Sequence, residues 1–143
     1  MNPKAKALRG RTAAFAAAVI RLCESIPDTQ STRTLKSQLI DAATSVAGNY
    51  RATCRARSRA EFVAKVGVVR EEADEAYGWL CLLVETGALQ RDVAAWHIKE
   101  AWELAAIFNA SYLTAKRRLT GKKRQEPKSG DDPNPTSNPS IPE

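Results

Sequence analysis

Phe62, Val66, Val69, Ala73, Ala76, Leu80 and Leu83 are separated by 4, 3, 4, 3, 4 and 3 residues. This alternation is a heptad seam. It keeps an apolar line on one face of an α-helix over three heptads, a pattern that a strand, whose faces alternate at every residue, cannot use. No proline occurs from residue 28 to residue 126, so nothing of that kind breaks a helix across the middle of the chain. An apolar seam needs a partner face, which the rest of the chain must supply.

It supplies three more faces of the same kind. Phe15, Val19, Leu22 and Ile26 predict a first helix from about Leu8 to Ile26, ended by Pro27 and Asp28. After a loop at 27–31, Leu35, Leu39, Ala42, Val46 and Ala47 predict a second helix from about Thr32 to Tyr50. Gly48 within it predicts close packing or a helix end. Ser58 followed by Glu61 reads as a capping box that starts the third helix at Arg59, and Gly87 suits the position just past its end. Gly67 and Gly78 inside that helix predict a tight helix contact at one of them. Val93, His97, Ala101, Leu104, Phe108, Ser111 and Ala115 predict one face of a fourth helix, about Leu89 to Arg118, with Ile98, Ala105 and Tyr112 on another. No run has the period of two that marks a strand. The expected fold is all-α: an up-and-down antiparallel four-helix bundle over residues 1–118, followed by a disordered tail over 119–143 that is rich in proline and poor in apolar residues.

The functional classes are narrowed mostly by what is missing. At 143 residues and 43% apolar content the chain suits one packed domain. The run AAFAAAVI at 13–20 is too short to span a bilayer, and no secretory pattern appears, so the expectation is a cytoplasmic protein without a membrane partner. Cys23, Cys54 and Cys81 are odd in number and far apart, which is a poor disulfide framework. His97 is the single histidine, with no Glu-x-x-His motif to build a di-metal bundle site and no glycine-rich phosphate loop elsewhere. No metal, no cofactor and no catalytic residue is expected, and the chain is read as no enzyme. The third and fourth helices carry more apolar surface, Trp79 and Trp102 included, than a monomeric bundle needs. A homo-oligomer is therefore expected.

The net charge of +6 is unevenly placed, because the residues from Leu119 onward balance. Arg51, Arg55, Arg57, Arg59, Lys65 and Arg70 stand against Glu61 within 20 residues. Arginine suits bidentate phosphate contact, so Arg51, Arg55, Arg57, Arg59 and Lys65 are the candidate contacts to RNA or DNA. The other reading is a structural corner between two helices, in a protein–protein adaptor that takes an acidic partner or completes the oligomer. The acidic stretch REEADEA, 70–76, reads as pairing with basic residues, within the chain or between subunits, and with Arg70 to Asp74 as an i,i+4 pair. Asn49, near the end of the second helix, is expected to hydrogen-bond the backbone at the turn.

The stretch QLIDAATSVAGNYRATCRARSRAEFVAKVGVVREEADEAYGWLCLL, 38–83, resembles the core of the 23S rRNA intervening-sequence protein family, also called the four-helix bundle protein family. The matching features are Gln38 and Leu39, SVAGNY at 45–50, the Ser58 and Phe62 pair, and EEADEAYGWL at 71–80, within a likeness covering about residues 10–118. Many members have an acidic residue and a glycine where Arg51 and Ala52 stand here, which places the chain with an arginine-rich branch. The resemblance implies a four-helix bundle assembled as a ring-like homopentamer, in a bacterial family without an established molecular function. A related accessory protein of diversity-generating retroelements is a basic pentameric bundle that works with a reverse transcriptase and nucleic acid. No catalytic set carries over; structural roles are implied for Gln38, Asn49, Ser58 and Phe62, beside the capping Glu61.

Overall fold

The structure, a computed structural model, describes residues 2–121. They form four helices: α1, Pro3–Glu24; α2, Gln30–Thr53; α3, Arg59–Glu85; and α4, Arg91–Thr120. Each packs on its neighbour in the chain, and α1 meets α4 to close the bundle along its thinnest seam. There is no strand among the described residues. The all-α antiparallel bundle is as expected. The expected tail lies outside the described residues except for its first three, which carry α4 to Thr120 and to Gly121 in the left-handed conformation at φ 69°.

The predicted seam of α3 is the centre of the core. Val66, Val69, Ala73, Ala76, Leu80 and Leu83 are all fully buried, and Phe62 at its start is half-buried. Phe15 and Val19 of α1, Leu39 and Val46 of α2, and Leu104 and Phe108 of α4 close around them. On α4 the inward line is Ala94, Ile98, Ala101, Leu104 and Phe108. Val93 is 52% exposed, which corrects its expected place on the core face. The steps of 4, 3, 3 and 4 bring Ile98 inward, and both Val93 and the half-buried His97 turn away from the stripe's axis.

Helix ends account for most boundary differences. α1 starts at Pro3, five residues before the expected Leu8, because Asn2 accepts the Ala5 N–H at 2.9 Å and proline suits the first helical position. α2 starts at Gln30, because Thr29 and Thr32 cap each other's backbone N–H in a reciprocal box, at 3.1 and 2.7 Å. The box expected at Ser58 is half made. Ser58 Oγ accepts the Glu61 N–H at 3.0 Å, but the Glu61 carboxylate takes the N–H of Arg57, one residue earlier, at 3.2 Å. α3 ends as predicted: Gly87 has φ 77°, its N–H donates to Val84 O at 3.0 Å, and that of Leu89 donates to Leu83 O at 3.1 Å.

Two glycine expectations separate cleanly. At Gly67 an added Cβ would lie 3.1 Å from Cε2 of Tyr112, so α3 and α4 do approach closely there. Gly48 has open space around it and sits inside α2, which continues to Thr53, so neither expected reason for that glycine holds within one subunit.

A partly buried charge cluster ties α1 to α4. Arg11 Nε donates to both oxygens of Glu100 at 3.1 and 3.0 Å, and its Nη2 reaches Glu103 at 2.6 Å. Glu100 is only 8% exposed. The hydrogen bond to Glu100 holds the Arg11 guanidinium above its usual pKa, with the Glu103 contacts adding to it and burial opposing it.

Candidate nucleic-acid interface

The link between α2 and α3 is short and tightly turned. Arg55 N–H donates to Ala52 O at 3.0 Å and Ala56 N–H to Thr53 O at 3.1 Å. Thr53 is buried, its hydroxyl donating to Asn49 O at 2.7 Å, and Ala56 is half-buried. With those two turned inward, Arg51, Arg55 and Arg57 face solvent, and Arg59 follows on the first turn of α3. Glu61 is the one carboxylate in the stretch. Its contacts to Arg57 and Lys65 are both 3.9 Å long, and the Arg57 side chain is 90% exposed. Such solvated pairs are worth less than about 1 kcal/mol each. Arg51, Arg55 and Arg59 pair with no carboxylate among the described residues.

Antiparallel connection adds cations that the sequence reading left apart. α1 begins, α2 ends, α3 begins and α4 ends at the same end of the bundle. A groove lined by Lys4 and Leu8 of α1, Phe62 of α3, and Ala115 and Arg118 of α4 records this junction. Residues 2–10, 51–65 and 116–121 thus bring eleven cations and one carboxylate to that end. The rest of the described chain carries seven cations and eleven carboxylates. Lys116, Arg117 and Arg118, near the end of α4, share an end with Arg59. The signal that would have found them was the topology itself.

Other expectations fare differently. Arg70 does not pair with Asp74. Its guanidinium lies 3.9 Å above the Tyr112 ring and donates to Asn109 Oδ1 at 3.2 Å, because the close approach at Gly67 sets the ring of α4 beneath it. Glu71, Asp74 and Glu75 are exposed and make no ion pair among the described residues, so the acidic stretch is not paired within the subunit. Burial, and then the neighbouring carboxylates of Glu75, Glu71 and Asp41, raise the pKa of Glu72. Asn49 bonds inside its helix rather than at a turn: its Nδ2 donates to Ser45 O at 2.8 Å. Gln38 is exposed on α2 and shows no role in the subunit's packing. Ser58 caps α3, and Phe62 forms part of the groove.

No group of three metal-ligating side chains forms among the described residues, and no helix there is long and apolar enough to cross a membrane. Burial raises the Cys23 thiol to about 11, despite Lys36 nearby, so it is not poised as a nucleophile. Burial lowers the pKa of His97, whose Nδ1 lacks a hydrogen-bond partner.

Curated proteins offer no match to the chain. Among solved structures, the fold is similar to that of a protein of unknown function from the S23 ribosomal protein family of Bacteroides thetaiotaomicron, with a TM-score of 0.67 and 24% identity. The alignment covers 73% of this chain and 96% of that one. Residues 8–110 match the family described as 23S rRNA-intervening sequence protein, which takes in all of α2 and α3, most of α1 and two-thirds of α4. The chain therefore belongs to the 23S rRNA-intervening sequence protein family.

Proposed function

We propose that the protein is a non-enzymatic, cytoplasmic, homo-oligomeric scaffold that binds structured RNA or DNA through phosphate contacts from Arg51, Arg55, Arg57, Arg59 and Lys65. The observation that carries this reading is the segregation of charge. Eleven cations stand against one carboxylate at one end of a bundle whose remainder is net acidic. A field of one sign concentrated on one end draws a polyanion and orients it on approach. Exposed guanidinium groups without carboxylate partners keep their donors available for phosphate oxygens. Self-association would multiply the patch around a symmetry axis. Its support is exposed apolar side chains: Val68, Leu82, Val93 and Trp96 are each at least 40% exposed.

Fluorescence anisotropy of a labelled RNA hairpin and a duplex DNA across a salt series tests the reading. The Arg51/Arg55/Arg57/Arg59→Ala variant is run beside the natural chain, with the mass of each measured. Four phosphate contacts give a log–log salt slope of about −3.6 for each subunit engaged, and the variant loses that slope. Absence of binding at low salt, or equal binding by the variant, refutes the proposal. A variant that falls apart to a smaller mass makes the arginines structural, and the adaptor with an acidic protein partner replaces the scaffold.

A further inference from the structure

The basic end has a feature that phosphate contact does not use. The groove among the start of α1, the start of α3 and the end of α4 has a volume of about 670 Å³. Leu8, Phe62, Ile107 and Ala110 make much of its lining apolar, with Lys4, Arg11 and Arg118 beside them. Phe62, Ala115 and Arg118 also line an adjoining recess whose fourth member is Arg59. Phe62 is half-buried, so an aromatic side chain stays partly open to solvent between Arg59 and Arg118. A phosphate gains nothing from the apolar lining, and a neutral apolar guest gains nothing from the cations. A guest with a flat apolar body joined to an anion uses both. The volume lies within the range of about 300–1,000 Å³ common for small-ligand pockets.

We infer that this groove takes an unpaired nucleobase of the bound nucleic acid, stacked against Phe62, while Arg59, Arg118 and Lys4 hold the flanking phosphates. The inference rests on the phosphate-binding reading above and deepens it. That reading predicts binding to any structured polyanion, whereas this one predicts a preference for a bulged or otherwise unstacked base over a continuous stem. No aromatic residue interleaves the arginines of 51–59 along the sequence. The fold supplies one from α3, beside a guanidinium from α4.

The test uses the full chain and two RNA hairpins, identical except that one carries a single-nucleotide bulge. Stacking of a base on an aromatic side chain is worth about 1–3 kcal/mol, so the bulged hairpin should bind roughly 5- to 150-fold more tightly. Ala110→Phe narrows the groove from an exposed position of α4 without removing a core side chain, and should lower the preference for the bulged hairpin. Phe62→Leu should reduce the preference, and a Phe62→Leu chain that keeps it in full overturns the inference. Equal binding of both hairpins by the natural chain overturns the inference and leaves the phosphate scaffold standing. Binding of neither removes both. An Ala110→Phe chain that keeps the preference puts the base elsewhere and overturns the inference. One that changes oligomeric mass overturns it in favour of a second copy seated in the groove.

Discussion

Replacing Arg11 by Met keeps most of the side chain's apolar stem and removes its charge. The Glu100 carboxylate, 8% exposed, then loses all three hydrogen bonds from Arg11 and keeps a like charge, Glu103, one turn away on the same helix. Breaking a fully buried pair by removing one partner costs about 3–5 kcal/mol. Here the Arg11 side chain is 34% and Glu103 39% exposed, so water reaches the cluster and the cost should fall to about 2 kcal/mol. For a domain of this size that lowers Tm by about 6–10 °C in thermal unfolding followed by circular dichroism. Arg11→Met combined with Glu100→Leu removes the stranded charge and should recover at least half of the loss. A single variant as stable as the natural chain, or a double variant less stable than the single one, would show that the α1–α4 seam does not shelter Glu100.

Two further outcomes follow from local geometry. Gly78→Ala, with open space around the new methyl, should raise stability by about 0.5–1 kcal/mol. Gly67→Ala, with its Cβ 3.1 Å from a Tyr112 ring held under Arg70, should lower it by about 1 kcal/mol, and urea denaturation separates the two signs. His97 has its pKa lowered, chiefly by burial, so the folded state resists protonation; stability is fully present above the unfolded pKa of about 6.5 and is lost as pH falls through it. His97→Leu should flatten the stability profile between pH 7 and pH 5, and an unchanged slope would contradict the burial argument.

The parts of the fold that the sequence revealed are those set by period. The α3 seam needs only spacing, and every member from Val66 to Leu83 is buried. The Ser58 cap and the Gly87 terminus depend on one or two residues acting locally, and both are found. α4 was harder because its apolar residues form two lines, and only a partner decides which faces in. The core took Ala94 and Ile98 and left Val93 in solvent. Arg11 with Glu100 lies beyond sequence reasoning of this kind, since 89 residues separate the partners and neither has a local signature. The arginines of the candidate site were legible as composition. Their companions at the ends of α1 and α4 became visible only when the chain had been folded back three times.

That gathering of charge runs partly against the needs of the helices themselves. A helix C-terminus favours cations, so Arg51 at the end of α2 and Arg117 and Arg118 at the end of α4 are placed where the dipole helps them. A helix N-terminus favours anions, yet α1 opens with Lys4 and Lys6 and has no acidic residue in its first turn. α3 opens with Arg59, offset by Glu61. Each misplaced cation costs a few tenths of a kcal/mol against the dipole, and mutual repulsion among charges closer than the Debye length of about 8 Å adds to that cost. If the corner only joined two helices, carboxylates at the α1 start would stabilise the fold and relieve the repulsion at once. Acidic residues are not scarce here: eleven carboxylates lie elsewhere in the described chain, several of them crowding one another around Glu72. Their separation leaves Arg51, Arg55 and Arg59 at one end, and Glu71, Asp74 and Glu75 away from it, without ion-pair partners among the described residues. Under the proposed reading, an anion bound at this end would recover the energy that the separation withholds from folding, which is the reason to test this end of the bundle first.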